Sequence, residues 1–408
     1  MRCIHTCPDM NLEKFKRPEI LLMLMAAAVP LSFSVWMTLL DNFVIERANF
    51  TGREIGILQS LREIPGFMAF AVVFVLFIVK EQTLAFLSLL LLGVGTFLTG
   101  WFPSVLGLYI TTVFMSIGFH YYETMQTSLS LQWLGKKEAP HVLGKIIAVG
   151  SFTSLIIYGA LALATRVWHV DYVVIYMVGG GATVAIALFC WWFFPHYPEK
   201  VVQHKKIILR KRYWLYYLLV FMSGARRQIF VVFAGFLMVE KFGYSVGQIS
   251  TLFLINASLN MFLAPKIGRL IGLIGERRAL VFEYLGLICI FTAYALVTDH
   301  RVAAGLYVLD HVFFALAIAI KTYFQKIADP KDIASTAAVG FTINHIAAVF
   351  LPAILGLVWI QSHSLVFLIG AAMALVSLLL AFIIPRHPKP GEEVVLRFRP
   401  RALSAESL

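Results

Sequence analysis

The chain has 408 residues, of which 60% are hydrophobic and only 14% charged, with a formal net charge of +12 and a mean hydropathy of +0.82. Soluble domains run near 25% charged, so composition excludes a soluble fold of this size. The basic residues fall in short gaps between apolar runs and not in one folded patch, which fits membrane topology and excludes a nucleic-acid partner.

In chain order, a cytoplasmic leader is expected over residues 1–18. It holds "MRCIHTC", in which Cys3 and Cys7 flank His5. A metal site there would need further ligands from elsewhere, and no metal or other cofactor is expected. Twelve apolar runs long enough to cross a bilayer follow. They lie at roughly 19–45, 53–79, 83–101, 104–133, 143–165, 171–194, 213–239, 246–272, 279–297, 302–327, 334–359 and 363–385. We number them spans 1 to 12. The longest internal connection, residues 195–212, is polar and basic. It divides the chain into an N-terminal six-helix bundle, 19–194, and a C-terminal one, 213–385. A tail over 386–408 is expected to be disordered.

Placing the N-terminus inside puts 25 of the 34 lysines and arginines on the cytoplasmic side and five (Arg47, Arg53, Arg166, Lys241, Arg301) on the other; four lie within spans. This is a positive-inside pattern, so both termini are expected in the cytoplasm. The bias fits a multi-pass protein of a bacterial-type inner (plasma) membrane.

The halves repeat. "ERANFTGREIGIL" (46–58) aligns with "EKFGYSVGQISTL" (240–252) at an offset of 194. Glu46 meets Glu240, Thr51 meets Ser245, Ile55 meets Ile249 and Leu58 meets Leu252. "GLY" at 107–109 recurs at 305–307, and "AVG" at 148–150 recurs at 338–340. Parallel repeats of this kind place a solute site at their interface near the midplane.

Polar residues inside the spans are unevenly spread. Span 2 has Arg62 and Glu63; span 4 has His120, Tyr121, Tyr122 and Glu123; span 7 has Arg226 and Arg227. Span 8 has Asn256 and Asn260, span 10 has Asp310, His311 and Lys321, and span 11 has Asn344 and His345. Spans 3, 6 and 12 carry no interior charge, and span 9 has only Glu283 near one end. Every third span therefore reads as lipid-facing scaffold. The others imply a wet cavity, because intramembrane charges face a bundle interior or water.

Twelve spans in two repeats, a long central cytoplasmic loop and scaffold at every third helix resemble the major facilitator superfamily. The resemblance covers roughly residues 19–385. It implies an all-α membrane fold of two pseudo-symmetric six-helix bundles and transport by alternating access. The family's loop signature survives as "GRLIGLIGERR" (268–278), which keeps Gly268, Gly275, Arg277 and Arg278 but has Gly272 at the acidic position. The matching first-half loop, around "VKEQTL", lacks it. The family's drug-antiporter signature is absent from "GKIIAVGSFTSLIIYGALALA". The subfamily stays open.

At about 1.5 Å per helical residue, Arg62 and Arg226 both fall near mid-bilayer, one from each half. Arginine's planar fork grips carboxylate or phosphate through paired hydrogen bonds. Arg62, Arg226, Arg227, Tyr122 and Asn256 are therefore the expected substrate contacts, and a small organic anion is the favoured solute. The opposing reading is that the arginines only neutralise buried acids; both stay open. Buried carboxylates can exchange protons near neutral pH. Glu63, Glu123, Asp310 and His120 are thus candidates for proton coupling or gating, with Lys321 as a partner for Glu123 at the equivalent repeat position. His120 and Glu123, at i and i+3, give a thinner case for a divalent-metal carrier with Asp310, His311 and His345. An exporter of drug-like or cationic amphipathic compounds would use Glu63 and Glu123. A membrane-embedded enzyme would need a nucleophile or metal cluster at one face, and none stands out. A non-transporting sensor would be favoured by a soluble signalling domain, and the tail is too short for one. The expected partners are a small solute, protons and the lipid bilayer, and a monomer is expected.

Overall fold

The computed structural model describes residues 16–134, 139–198, 209–329 and 333–395. The Cys3–His5–Cys7 cluster, most of the basic connection and the end of the tail lie outside the described residues. Among those described, the chain is helical, with one isolated bridge between Lys389 and Glu392 and no strand. Eleven helices among the described residues are long and apolar enough to cross a membrane. They match the expected spans to within a few residues: Pro18–Ala48, Glu81–Thr99, Val105–Trp133, Ala139–Arg166, Tyr172–Phe193, Val246–Ile274, Glu276–Leu296, Ile333–Gln361 and His363–Ile383, with spans 7 and 10 broken internally. Large apolar side chains lie exposed along these helices, among them Phe262, Trp192 and Leu273. Surface of that kind needs a hydrocarbon solvent.

Span 2 is the one expected span not among the eleven. It is an α-helix over Gly52–Phe67, a 3-10 turn over Met68–Ala71 and a short helix over Val72–Val75. Pro65 lies inside the first piece. It supplies no backbone donor and crowds the preceding turn, and the tighter 3-10 turn follows within three residues. Span 7 is interrupted too: α-helix Trp214–Gln228, π-helix Ile229–Ala234, α-helix Gly235–Glu240. Span 10 runs as His300–Phe314, a 3-10 turn Ala315–Ala317, and Ile318–Ile327.

By packing, the chain forms two compact units. The first comprises Met1–His204, Gln228–Ser258 and Ala348–His363; the second comprises Lys205–Arg227, Leu259–Ala347 and Ser364–Leu408. Spans 7, 8 and 11 each contribute one part to each unit.

In the first unit, the offset of 194 recurs in backbone detail. Span 1 ends at Asn49 (φ 51°) and span 7 at Gly243 (φ 65°), the left-handed conformation that asparagine and glycine tolerate. Phe50 N–H returns to Val44 O and Tyr244 N–H to Met238 O, each at 3.0 Å. Thr51 then caps span 2 with Glu54 in a reciprocal capping box, and Ser245 N–H donates to Gln248 Oε1 at 2.9 Å while Ser245 Oγ accepts from Gln248 N–H. The two helix starts are one device used twice.

The first unit also contains a seam between spans 2 and 11. Gly52, Gly56 and Ser60 fall four apart, on one helix face. A Cβ on Gly56 would run into the Pro352 carbonyl and Gly356, and one on Gly52 into the Trp359 side chain. Small residues let helix backbones approach this closely. Pro352 interrupts the helical hydrogen-bond ladder of span 11, and the next residue, Ala353, donates its N–H to Ser60 Oγ at 3.0 Å.

In the second unit, Glu276 is buried and pairs with Lys326 at 2.7 Å. The loop signature that lost its acid at Gly272 thus has an engaged acid four residues on, and Gly275 (φ 82°) needs the freedom of glycine to start span 9 there. The beginning of the tail folds back: Tyr323 Oη donates to Glu393 O at 2.6 Å and Val395 N–H to Ile383 O at 2.9 Å. This part of the tail is ordered, contrary to expectation, because backbone carbonyls and amides here find partners on spans 10 and 12.

Candidate functional site

In the first unit, Arg62 is buried and binds the carboxylate of its own neighbour Glu63 through Nε (3.1 Å) and Nη2. Its Nη1 reaches Met37 Sδ of span 1 at 3.2 Å. The Arg62 carbonyl accepts from Ser116 Oγ of span 4, and Ser116 Oγ is 3.1 Å from His120 Nδ1. Glu63 and His120 place ligand-capable atoms within 4.8 Å of each other. Arg62, Glu63 and His120 are thus brought together. Glu123 points elsewhere: it is exposed and lines a cavity of about 380 Å³ between spans 1, 4 and 5, with Tyr122, Gln126, Thr127 and Ser130. Among the described residues, the Tyr122 hydroxyl is buried without a hydrogen-bond partner, as is Asn256 Oδ1 on span 8.

In the second unit, the neighbours Arg226 and Arg227 diverge, as an offset of about 100° per residue requires. Arg227 is exposed, and His311 of span 10 lies within its electrostatic reach. Arg226 has no solvent exposure. Its Nη2 is 3.5 Å from Glu283 Oε1 of span 9, and its guanidinium stacks 4.3 Å from the Tyr284 ring centre. Asp310 of span 10 is also fully buried and within electrostatic reach of both Arg226 and Glu283. Glycines set this geometry. The ring of Phe313 occupies the place a Cβ on Gly286 would take. Glu283 and Asp310 each lie three residues before that contact, about one turn along their own helices. Gly224, two residues before Arg226, lets Asn344 of span 11 sit against span 7. Lys321 is exposed on span 10.

Glu283 is the residue that sequence reasoning set aside. Span 9 read as scaffold, with its acid near one end. Span 9 begins at Glu276, so Glu283 lies two turns into the helix. Its partner is 57 residues away in sequence, and helical periodicity carries no information at that range.

The Major Facilitator Superfamily family model matches residues 22–352. The chain belongs to the major facilitator superfamily. Solved structures of this fold resemble it over most of their length. A mutant of the nucleoside transporter NupG matches with a TM-score of 0.75 at 15% identity, over 89% of this chain and 98% of that one. A bacterial homologue of the human lysosomal transporter Spinster, in an inward-facing and occupied conformation, gives 0.67 at 14% identity, over 89% and 95%. An auto-inhibited POT family peptide transporter gives 0.70 at 10% identity, over 89% and 95%. No curated protein sequence matches the chain. As a major facilitator, the chain is a multi-pass membrane protein of the secondary-transporter class.

Proposed function

We propose that this major facilitator carries a small organic anion by alternating access, coupled to protons, as a monomer in a bacterial-type inner membrane with both termini cytoplasmic. The two six-helix bundles, 19–194 and 213–385, are the moving bodies of this reading. One observation carries it. Arg227 is exposed in the middle of a membrane span while its neighbour Arg226 is buried against Glu283. A charged side chain at that depth belongs beside water, and a guanidinium there grips an anion well. Arg62 is held by Glu63, and in this reading Arg227 is the principal anion contact.

Purified protein in detergent tests this with a thermal-shift panel of small carboxylates, phosphates, cations and metals. A ligand that binds the folded state raises the melting temperature by mass action. One anion class is expected to do so, and Arg227→Ala is expected to abolish the shift while the protein stays folded. Unchanged anion binding in that variant would refute the assignment.

A second reading has its own support. The exposed carboxylate of Glu123 sits in the wall of a mainly apolar cavity with Ala26, Val29, Leu143 and Ile146, which suits a cationic amphipathic compound. Shifts confined to lipophilic cations, and lost in Glu123→Gln, would favour an exporter of such compounds.

A further inference from the structure

Arg226, Glu283 and Asp310 form a buried cluster whose charges do not cancel. Span 7 brings one guanidinium, span 9 one carboxyl and span 10 another, and none of the three residues is exposed. Arginine remains protonated in proteins. With both acids ionised the cluster holds one negative charge too many, in a membrane interior where an uncompensated charge is strongly disfavoured. The hydrogen bonding shows the same imbalance. Among the described residues, Glu283 Oε2, both oxygens of Asp310, and Arg226 Nε and Nη1 are all buried without a hydrogen-bond partner. A fully ionised, static ion-pair network would leave few such atoms, because buried polar groups are normally satisfied.

We propose that Arg226, Glu283 and Asp310 together bind one exchangeable proton, shared between the two carboxyls and balanced by the arginine. A metal cation would also supply one positive charge, but it would sit against the guanidinium. A proton adds no volume and turns one carboxyl into the donor that the three unpaired oxygens lack. The other groups facing the cluster do not supply that charge. They are Tyr284 and Tyr294 of span 9 and Tyr307 of span 10. Span 11 brings Asn344 against Gly224, and span 12 brings Phe367, stacked on Tyr294 at 4.9 Å. His311 interacts with Arg227.

The position of the cluster identifies what the proton controls. Arg226 precedes Arg227, and the π-helix of span 7 begins at Ile229; π-helical turns are frequent at functional sites. When the proton leaves, both acids pull on Arg226, and this sets the turn that presents Arg227. That link to solute rests on the carrier reading above, whereas proton binding does not.

Infrared difference spectroscopy of the purified full chain without solute, between mildly acidic and mildly alkaline buffer, reads the proton directly. The wild type is expected to show a protonated-carboxyl band that bleaches in alkaline buffer. Glu283→Gln and Asp310→Asn are each expected to remove it, since either variant leaves one acid and one arginine, which cancel. No bleaching band in the wild type would overturn the proposal without recourse to variants. So would a band that persists in either variant. Replacing choline chloride by sodium chloride is expected to leave the band unchanged, and its loss would make the cluster a cation site instead. Thermal shifts and flux with candidate solutes test the carrier reading separately, so an unidentified solute leaves this result intact.

Discussion

Arg62 and Arg226 are both buried arginines in membrane spans, and the molecule holds them in opposite ways. Arg62 takes its counter-charge from the adjacent residue of its own helix, so the two charges cancel within span 2. Arg226 takes its counter-charge from span 9, faces a second acid on span 10, and keeps two of its own nitrogens without a hydrogen-bond partner among the described residues. The first arrangement is a local neutralisation. The second works only when three helices are assembled, and even then its charge is unbalanced. A difference of this kind separates a charge that is merely tolerated from one that is poised to respond.

The contrast can be broken from its stronger side. Arg226→Gln leaves two acids buried without a counter-ion, and removing one partner of a buried pair costs about 3–5 kcal/mol. The expected result is a large drop in melting temperature in detergent, measured at alkaline pH, and much of it should return on acidification as the acids take up protons. On the Arg62 side, Arg62→Gln should destabilise by a similar route, whereas the double variant Arg62→Met with Glu63→Gln should lie within about 1 kcal/mol of wild type, since replacing a closed buried pair is often neutral. Equal losses in the single and double variants would show that Arg62 does more than cancel Glu63. The smallest effect compares the two repeats and not the two arginines. Thr51→Ala and Ser245→Ala each remove a helix cap and should each cost about 0.5–2 kcal/mol. Similar values from chemical or thermal unfolding would confirm that the two caps are equivalent.

The parts legible in the sequence were those whose cause is local. Apolar run length fixed the spans, because a bilayer admits only helices or closed barrels with every backbone group paired. The repeat at 46–58 and 240–252 was visible because a left-handed stop and a capping box are written in consecutive residues. The break in span 2 follows from Pro65, but a hydropathy window averages over it. The divergence of Arg226 and Arg227 follows from helix geometry alone, yet which of them is buried depends on Gly224, Gly286 and Phe313, residues with no polar signal. Glu283 was discounted because a scaffold helix is defined by what it lacks, and one acid near its start reads as an end group until span 7 is placed against it.

The seam of Gly52, Gly56 and Ser60 against Pro352, Ala353 and Gly356 has a consequence for motion. Backbone meets backbone there, so little side-chain freedom is lost when the helices close and little is regained when they part. Van der Waals contact and the hydrogen bond from Ala353 to Ser60 hold that stretch. A contact built this way is close in fit, with few rotamers to reorder if the helices part.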